Sequence, residues 1–149
     1  MRSIEHTIDI AAPPAAVWAV LTDVANYPDW NPFMTMAATP TAIGDRLSIT
    51  VRTGRRSMSF RPKVTAYEQS RQIAWLGRFL APHIVDGAHS FTLEALADGG
   101  TRFRQREEFS GFLVPFLSSM LANTESGFAT MNTALAERVM TGRASHGGS

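Results

Sequence analysis

The sequence predicts one α+β domain, a curved antiparallel sheet of about six to seven strands wrapped on a long C-terminal helix. Three observations carry that prediction. Apolar residues alternate with polar ones in the first ten residues and again through most of the span from Leu47 to Phe109, the period of strands buried on one face. After Gly111 the period changes: Leu117, Leu121, Thr124, Phe128, Met131, Leu135 and Arg138 recur at spacings of four and three, one stripe of a helix over 113–140. A chain of 149 residues with 44% apolar content is long enough for one core and shows no linker or internal repeat.

The elements follow in order. Ile4, His6, Ile8 and Ile10 share the inward face of the first strand. Pro13-Pro14 ends it and starts a short helix, because the first amides of a helix have no intrahelical partner to lose. Val17, Val20 and Leu21 form that helix's apolar face with Trp18 beside them. A second short helix leads into Tyr27-Pro28-Asp29-Trp30-Asn31-Pro32-Phe33, a cramped aromatic turn in which the Asn31 side chain is expected to cap local backbone.

Leu47 to Val51 and Met58 to Tyr67 then read as a hairpin about Gly54, with Phe60 and Val64 on one face. Ile73 and Trp75 point inward from the next strand. The connection over 79–87 exposes Phe79, Leu80 and Ile84 as a lid or a contact surface, including for transient membrane contact through Phe79-Leu80. Gly127 falls inside the long helix, where glycine marks close packing or a bend. One domain over 1–140 is expected, with a disordered tail over 141–149.

Composition narrows the chemistry. A net charge of +1 gives no pull toward nucleic acid, and Arg52, Arg55, Arg56, Arg61 and Lys63, like Arg102, Arg104 and Arg106, read as solvated strand faces. The absence of cysteine removes disulfides, thiol nucleophiles and Cys-ligated zinc. His6, His83, His89 and His146 have no ligand spacing, so no metal site is expected, and no cofactor fingerprint or nucleophile elbow occurs. The chain starts directly on a strand pattern and carries no apolar run of about 18 residues, so no signal peptide or membrane span is expected and the expected location is cytoplasmic.

The hairpin about Asp98-Gly99-Gly100 carries the candidate site. With Phe91 and Leu93 inward, His89 is inward; with Phe103 and Phe109 inward, so are Gln105 and Glu107. Parity requires a three-residue loop or a bulge. Pairing numbers that sum to 196 set His89 opposite Glu107, and a sum of 198 makes the two diagonal neighbours. A buried carboxylate needs a partner, so His89 and Glu107 are expected to couple, as a polar anchor for a ligand, as an acid/base pair or as a structural pair. They are the only candidates for catalysis. Trp30, Phe60, Trp75, His89, Phe91, Gln105, Glu107, Phe128 and Met131 are the candidate ligand contacts. Met34, Met36, Met58, Met120, Met131 and Met140 suit a soft lining.

The opening run from Ile8 to Asp23 with the Tyr27–Phe33 turn, then Gly87-Ala88-His89-Ser90-Phe91, Gly100-Thr101-Arg102-Phe103 and Glu107-Glu108-Phe109-Ser110-Gly111, resembles the START-like superfamily, also called SRPBCC or polyketide cyclase/dehydrase-like. Met131 to Arg138 is similar to the superfamily's terminal-helix ending. The resemblance covers the chain from Ile4 to about Met140 and implies the helix-grip (Bet v 1-like) fold with a cavity between sheet and helix. It implies, first, binding, transport or sequestration of a small hydrophobic molecule such as a lipid or polyketide. A cyclase/dehydratase-like enzyme and a chaperone-activator-like interaction protein are the alternatives. It names neither the ligand nor the oligomeric state.

Overall fold

The computed structural model describes residues 1–79 and 83–147. Strand β1 (Arg2–Ile10) is followed by helix α1 (Pro14–Thr22), a 3-10 turn and helix α2 (Tyr27–Trp30). Strands β2 (Met34–Met36), β3 (Ile49–Thr53), β4 (Arg56–Phe60), β5 (Lys63–Glu68), β6 (Gln72–Phe79), β7 (Val85–Ala95) and β8 (Thr101–Ser110) come next, and helix α3 (Ser118–Gly147) closes the chain. This is the α+β helix-grip arrangement: a large antiparallel sheet gripping a long C-terminal helix.

The strands hydrogen-bond as two sheets, β1-β8-β7-β6-β5 and β2-β3-β4. One strand over Met58–Tyr67 was expected, and the chain instead divides there at Pro62. Proline donates no ladder hydrogen bond, and its carbonyl accepts from Leu47 (2.9 Å) where the chain passes from one sheet to the other. The short strand β2, pairing Met34–Met36 with Ile49–Val51, went unread because three residues carry too little periodicity.

Proline at the start of α1 holds as expected, with Val17, Trp18 and Leu21 buried and Val20 only half-buried. Two hydrogen bonds, one local and one long-range, seat this corner. The Tyr27 hydroxyl donates to the Leu21 carbonyl, and Thr101 Oγ1 donates to the Ala12 carbonyl at 2.7 Å.

The β7–β8 hairpin takes the first of the two registers, with His89 opposite Glu107. Leu96 N–H donates to the Gly100 carbonyl (2.9 Å) and closes a three-residue loop in which Gly99 has φ 88°, a left-handed conformation that favours glycine. The outward arginines of β8 are paired rather than merely solvated: Arg102 with Asp9 (2.9 Å), Arg104 with Glu5 (2.9 Å) and Arg106 with Glu108 (2.7 Å). His6 on β1 is only partly buried and lies 3.6 Å from Glu125 of α3.

Helix α3 lays its stripe on the sheet. Leu121, Phe128, Met131 and Leu135 are buried, and Val139 takes the last buried place where Arg138 was expected; Arg138 lies 3.9 Å from Asp29. A 3-10 turn (Val114–Phe116) precedes the helix in place of a start at 113, and the helix continues past Met140 to Gly147, so the expected disordered tail is helical to that point. Residues 148–149 lie outside the described residues. So do residues 80–82 of the 79–87 connection, including Leu80; Phe79 belongs to β6 and 85–87 to β7. Among the described residues, no helix is long and apolar enough to cross a membrane.

Gly127 marks close packing. A Cβ there would lie 2.2 Å from Cδ1 of Phe33, whose buried ring packs edge-on to Phe128 at 5.7 Å. Gly127→Ala should therefore lower stability by about 1–2 kcal/mol, because overpacking outweighs the roughly 1 kcal/mol gained in helix propensity. Urea denaturation measures it, and a neutral or stabilised variant would show that the Phe33 ring has room to retreat.

Candidate functional site

Between the sheets and α3 lies a cavity of about 590 Å³, within the range of small-molecule sites. Its wall is largely apolar: Phe33 from the aromatic turn, Met34 from β2, Val51, Met58 and Phe60 from β3 and β4, Trp75 from β6, Val85 and Phe109 from β7 and β8, Leu113 and Leu117 on either side of the Val114–Phe116 turn, and Met120 from the start of α3. The polar members are Ser59, Arg61, Arg78, His89, Glu107 and Thr124.

His89 is the best-held of these. Its ring stacks on Trp75 (centroids 4.4 Å, planes 21° apart) and meets Phe91 and Phe128 edge-on at 4.7 and 5.3 Å. Nε2–H donates to Gln105 Oε1 at 3.0 Å, and Gln105 Nε2 donates in turn to Asn132 Oδ1 at 2.9 Å. Because the glutamine presents its oxygen, the imidazole proton sits on Nε2 and leaves Nδ1 as a bare lone pair. That atom is buried and has no partner among the described residues, and Asn132 Nδ2 is in the same position at the far end of the relay. Burial holds the imidazole down to about 4 against the upward pull of the Gln105 bond, so it is neutral at physiological pH.

Glu107 faces His89 in the register but makes no hydrogen bond to it, and no other partner for its carboxyl occurs among the described residues. The expected His89–Glu107 coupling is thus replaced by a diagonal His89–Gln105 bond. Stacking on Trp75 fixes the imidazole plane, and its single N–H is taken by the glutamine. Burial alone pushes the Glu107 carboxyl up to about 8, so it carries a proton at neutral pH. The neutral carboxylic acid can donate to and accept from a polar ligand without a buried charge, whereas the His89 lone pair is enclosed and the imidazole presents the cavity with an uncharged ring.

Of the nine candidate contacts, Phe60, Trp75, His89 and Glu107 line the cavity. Phe91, Gln105, Phe128 and Met131 are fully buried in the core behind it. Trp30 lies in a separate outer groove with Asp29, Asn31 and Arg52, edge-on to Tyr27 at 5.1 Å. Asn31 caps as expected, its Oδ1 accepting from the Phe33 and Met34 amides at 2.9 Å each. Met34, Met58 and Met120 line the cavity, whereas Met36 lies outside it and Met140 is exposed. Asn132 was missed as the third member of the relay; its signal was a polar side chain directly after Met131 and four residues after Phe128, at the border of the apolar stripe. Arg61 and Arg78 were passed over because arginines on strands usually face water. Among the described residues no group of three His, Asp or Glu is placed to hold a metal ion.

A family model described as polyketide cyclase / dehydrase and lipid transport matches residues 1–141. The chain belongs to that family, within the START-like superfamily. Solved structures share the fold at low identity. The Zhui aromatase/cyclase from Streptomyces sp. R1128 is 19% identical, with 93% of each chain covered and a TM-score of 0.75. A START superfamily protein from Mycobacterium smegmatis is 19% identical, covering 93% of this chain and 97% of that one, TM-score 0.68. Ara h 8.0201 is 15% identical, covering 94% and 98%, TM-score 0.70. No curated protein matches the chain in sequence.

Proposed function

We propose that the chain binds a small, largely apolar molecule bearing ketone or hydroxyl oxygen in the cavity, and holds it without conversion. The observation that carries this reading is the lining itself. Aromatic, methionine and aliphatic side chains make up most of it, the Glu107 carboxylic acid offers an unpartnered, uncharged hydrogen-bonding group, and the two cations, Arg61 and Arg78, are exposed. Burying an apolar body there is favourable at about 25 cal/mol per Å², and the Glu107 carboxyl orients it.

One observation favours a cyclase-like alternative: an acid pushed up and a base pushed down stand on the same wall, the arrangement that assigns proton donor and acceptor in enzymes. Against it, an imidazole held near 4 is a weak base, and neither hydroxyl of the lining is bonded to it: Thr124 Oγ1 donates to the Met120 carbonyl at 2.8 Å and Ser59 Oγ lies 2.9 Å from Thr50 Oγ1.

The neutral fluorescent probe N-phenylnaphthylamine should bind one-to-one and perturb Trp75 fluorescence. Leu117→Trp, which fills the cavity, should abolish binding while the protein stays folded by circular dichroism. Saturable binding unaffected by Leu117→Trp, or no binding at all, would defeat the cavity reading. Incubation with a linear poly-β-ketone followed by mass spectrometry tests the enzyme: loss of water that disappears in both His89→Ala and Glu107→Gln would overturn binding without conversion.

A further inference from the structure

The cavity reaches solvent where the sheet splits. β4 is the free edge of the small sheet, and β5 pairs with β6 only from Lys63↔Leu76 inward to Glu68↔Gln72. Among the described residues, no strand pairs with the β6 residues Gly77 and Arg78 on that side, and none pairs with Arg56–Ser59 opposite β3. Half the backbone groups along such free edges point away from the neighbouring strand and include unpaired amide donors. Ser59, Phe60 and Arg61 from one lip and Arg78 from the other line the cavity, and both arginines are also exposed, so the seam is a mouth.

Resting on the cavity reading above, we propose that the ligand is an amphiphile with a carboxylate at its outer end, held in the β4–β6 seam by Arg61 and Arg78 while its apolar body fills the cavity. Neither guanidinium has an ion-pair or hydrogen-bond partner among the described residues, whereas the arginines on the outer face of β8 all have carboxylates. Arg61 is well placed to stay at the lip, since its carbonyl accepts from Arg46 Nη1 at 3.1 Å and buried Pro62 follows it. Asp86 stands opposite Arg78 in the register, but its side chain is buried and lies 3.9 Å from His83 rather than in an ion pair with the arginine. The remaining acid in the lining, Glu107, holds its proton at neutral pH and does not cancel the two cations. Guanidinium and amide donors together suit a carboxylate, whose two oxygens take charge-assisted hydrogen bonds.

The test compares dodecanoate with dodecan-1-ol, equal in chain length and different in end charge, as competitors of N-phenylnaphthylamine at pH 7.5. Dodecanoate should bind about tenfold more tightly than the alcohol and lose that advantage in high salt. The double variant Arg61→Gln/Arg78→Gln should bring dodecanoate to the level of dodecanol and leave dodecanol unchanged. Equal affinities for the two compounds in the wild type, or a double variant that weakens both alike, would overturn the inference while probe binding keeps the cavity reading intact. Failure of the neutral probe itself would instead strike the cavity reading.

Discussion

Phe128→Ala is expected to lower the free energy of unfolding by about 3–5 kcal/mol, the usual cost of deleting a fully buried aromatic ring. The ring is 0% exposed and sits where the helix, the aromatic turn and the sheet meet, edge-on to Phe33 at 5.7 Å and to His89 at 5.3 Å. Its removal takes away apolar burial and two aromatic contacts, and the space it leaves adjoins two residues of the cavity wall. Phe128→Leu should recover a good part of the loss, since it refills most of the volume. Urea denaturation of both variants gives the values. A loss under about 1 kcal/mol for the alanine variant would mean that the α3 stripe does not hold the sheet, which contradicts the fold as well as the site.

The fold was legible because its determinants are periodic. The stripe of α3 and the parity of Phe91, Leu93, Phe103 and Phe109 each require only that apolar side chains leave water, and both are met. The sharpest site-level inference, His89 opposite Glu107, came from the same parity and holds at the backbone. It does not extend to the side chains. Whether an inward histidine bonds the residue opposite or the one diagonal depends on the ring stacked against it, here Trp75, and on a helix residue, Asn132, that fixes the glutamine's orientation. Strand periodicity likewise cannot separate core from cavity wall. Phe91 and Trp75 both point inward, yet only Trp75 reaches the cavity, because the separation of sheet and helix varies along the strands. The seam beside Arg61 and Arg78 was hidden for a related reason: Pro62 announces a break in one strand, not which two edges the break leaves unpaired.

The lack of a partner for Glu107 reverses the sign expected for its replacement. With a hydrogen-bonded histidine opposite, Glu107→Gln would destabilise; with none, the glutamine variant should be the more stable protein at neutral and alkaline pH. The carboxyl rises from its ordinary 4.5 to about 8 in the folded state. Between those values the folded protein keeps a proton that the unfolded chain has released, so stability falls as pH rises through the window. His89 works in the opposite direction. Its pKa drops from 6.5 to about 4, so the unfolded chain holds the extra proton and stability rises with pH across that interval. The two slopes, about 1.4 kcal/mol per pH unit each, cancel between pH 4.5 and 6.5. Above 6.5 the Glu107 slope stands alone, and the wild type should lose about 2 kcal/mol by pH 8. Glu107→Gln should be flat above 6.5, should rise with pH below it, and at pH 8 should exceed the wild type by about 4–5 kcal/mol, the Glu107 slope taken over its whole interval from 4.5 to 8. Urea denaturation of both proteins from pH 5 to 8.5 reads the two profiles. Parallel profiles, or a variant less stable at pH 8, would place a charged and partnered carboxylate at Glu107 and remove the neutral donor on which the proposed recognition of ligand oxygen depends.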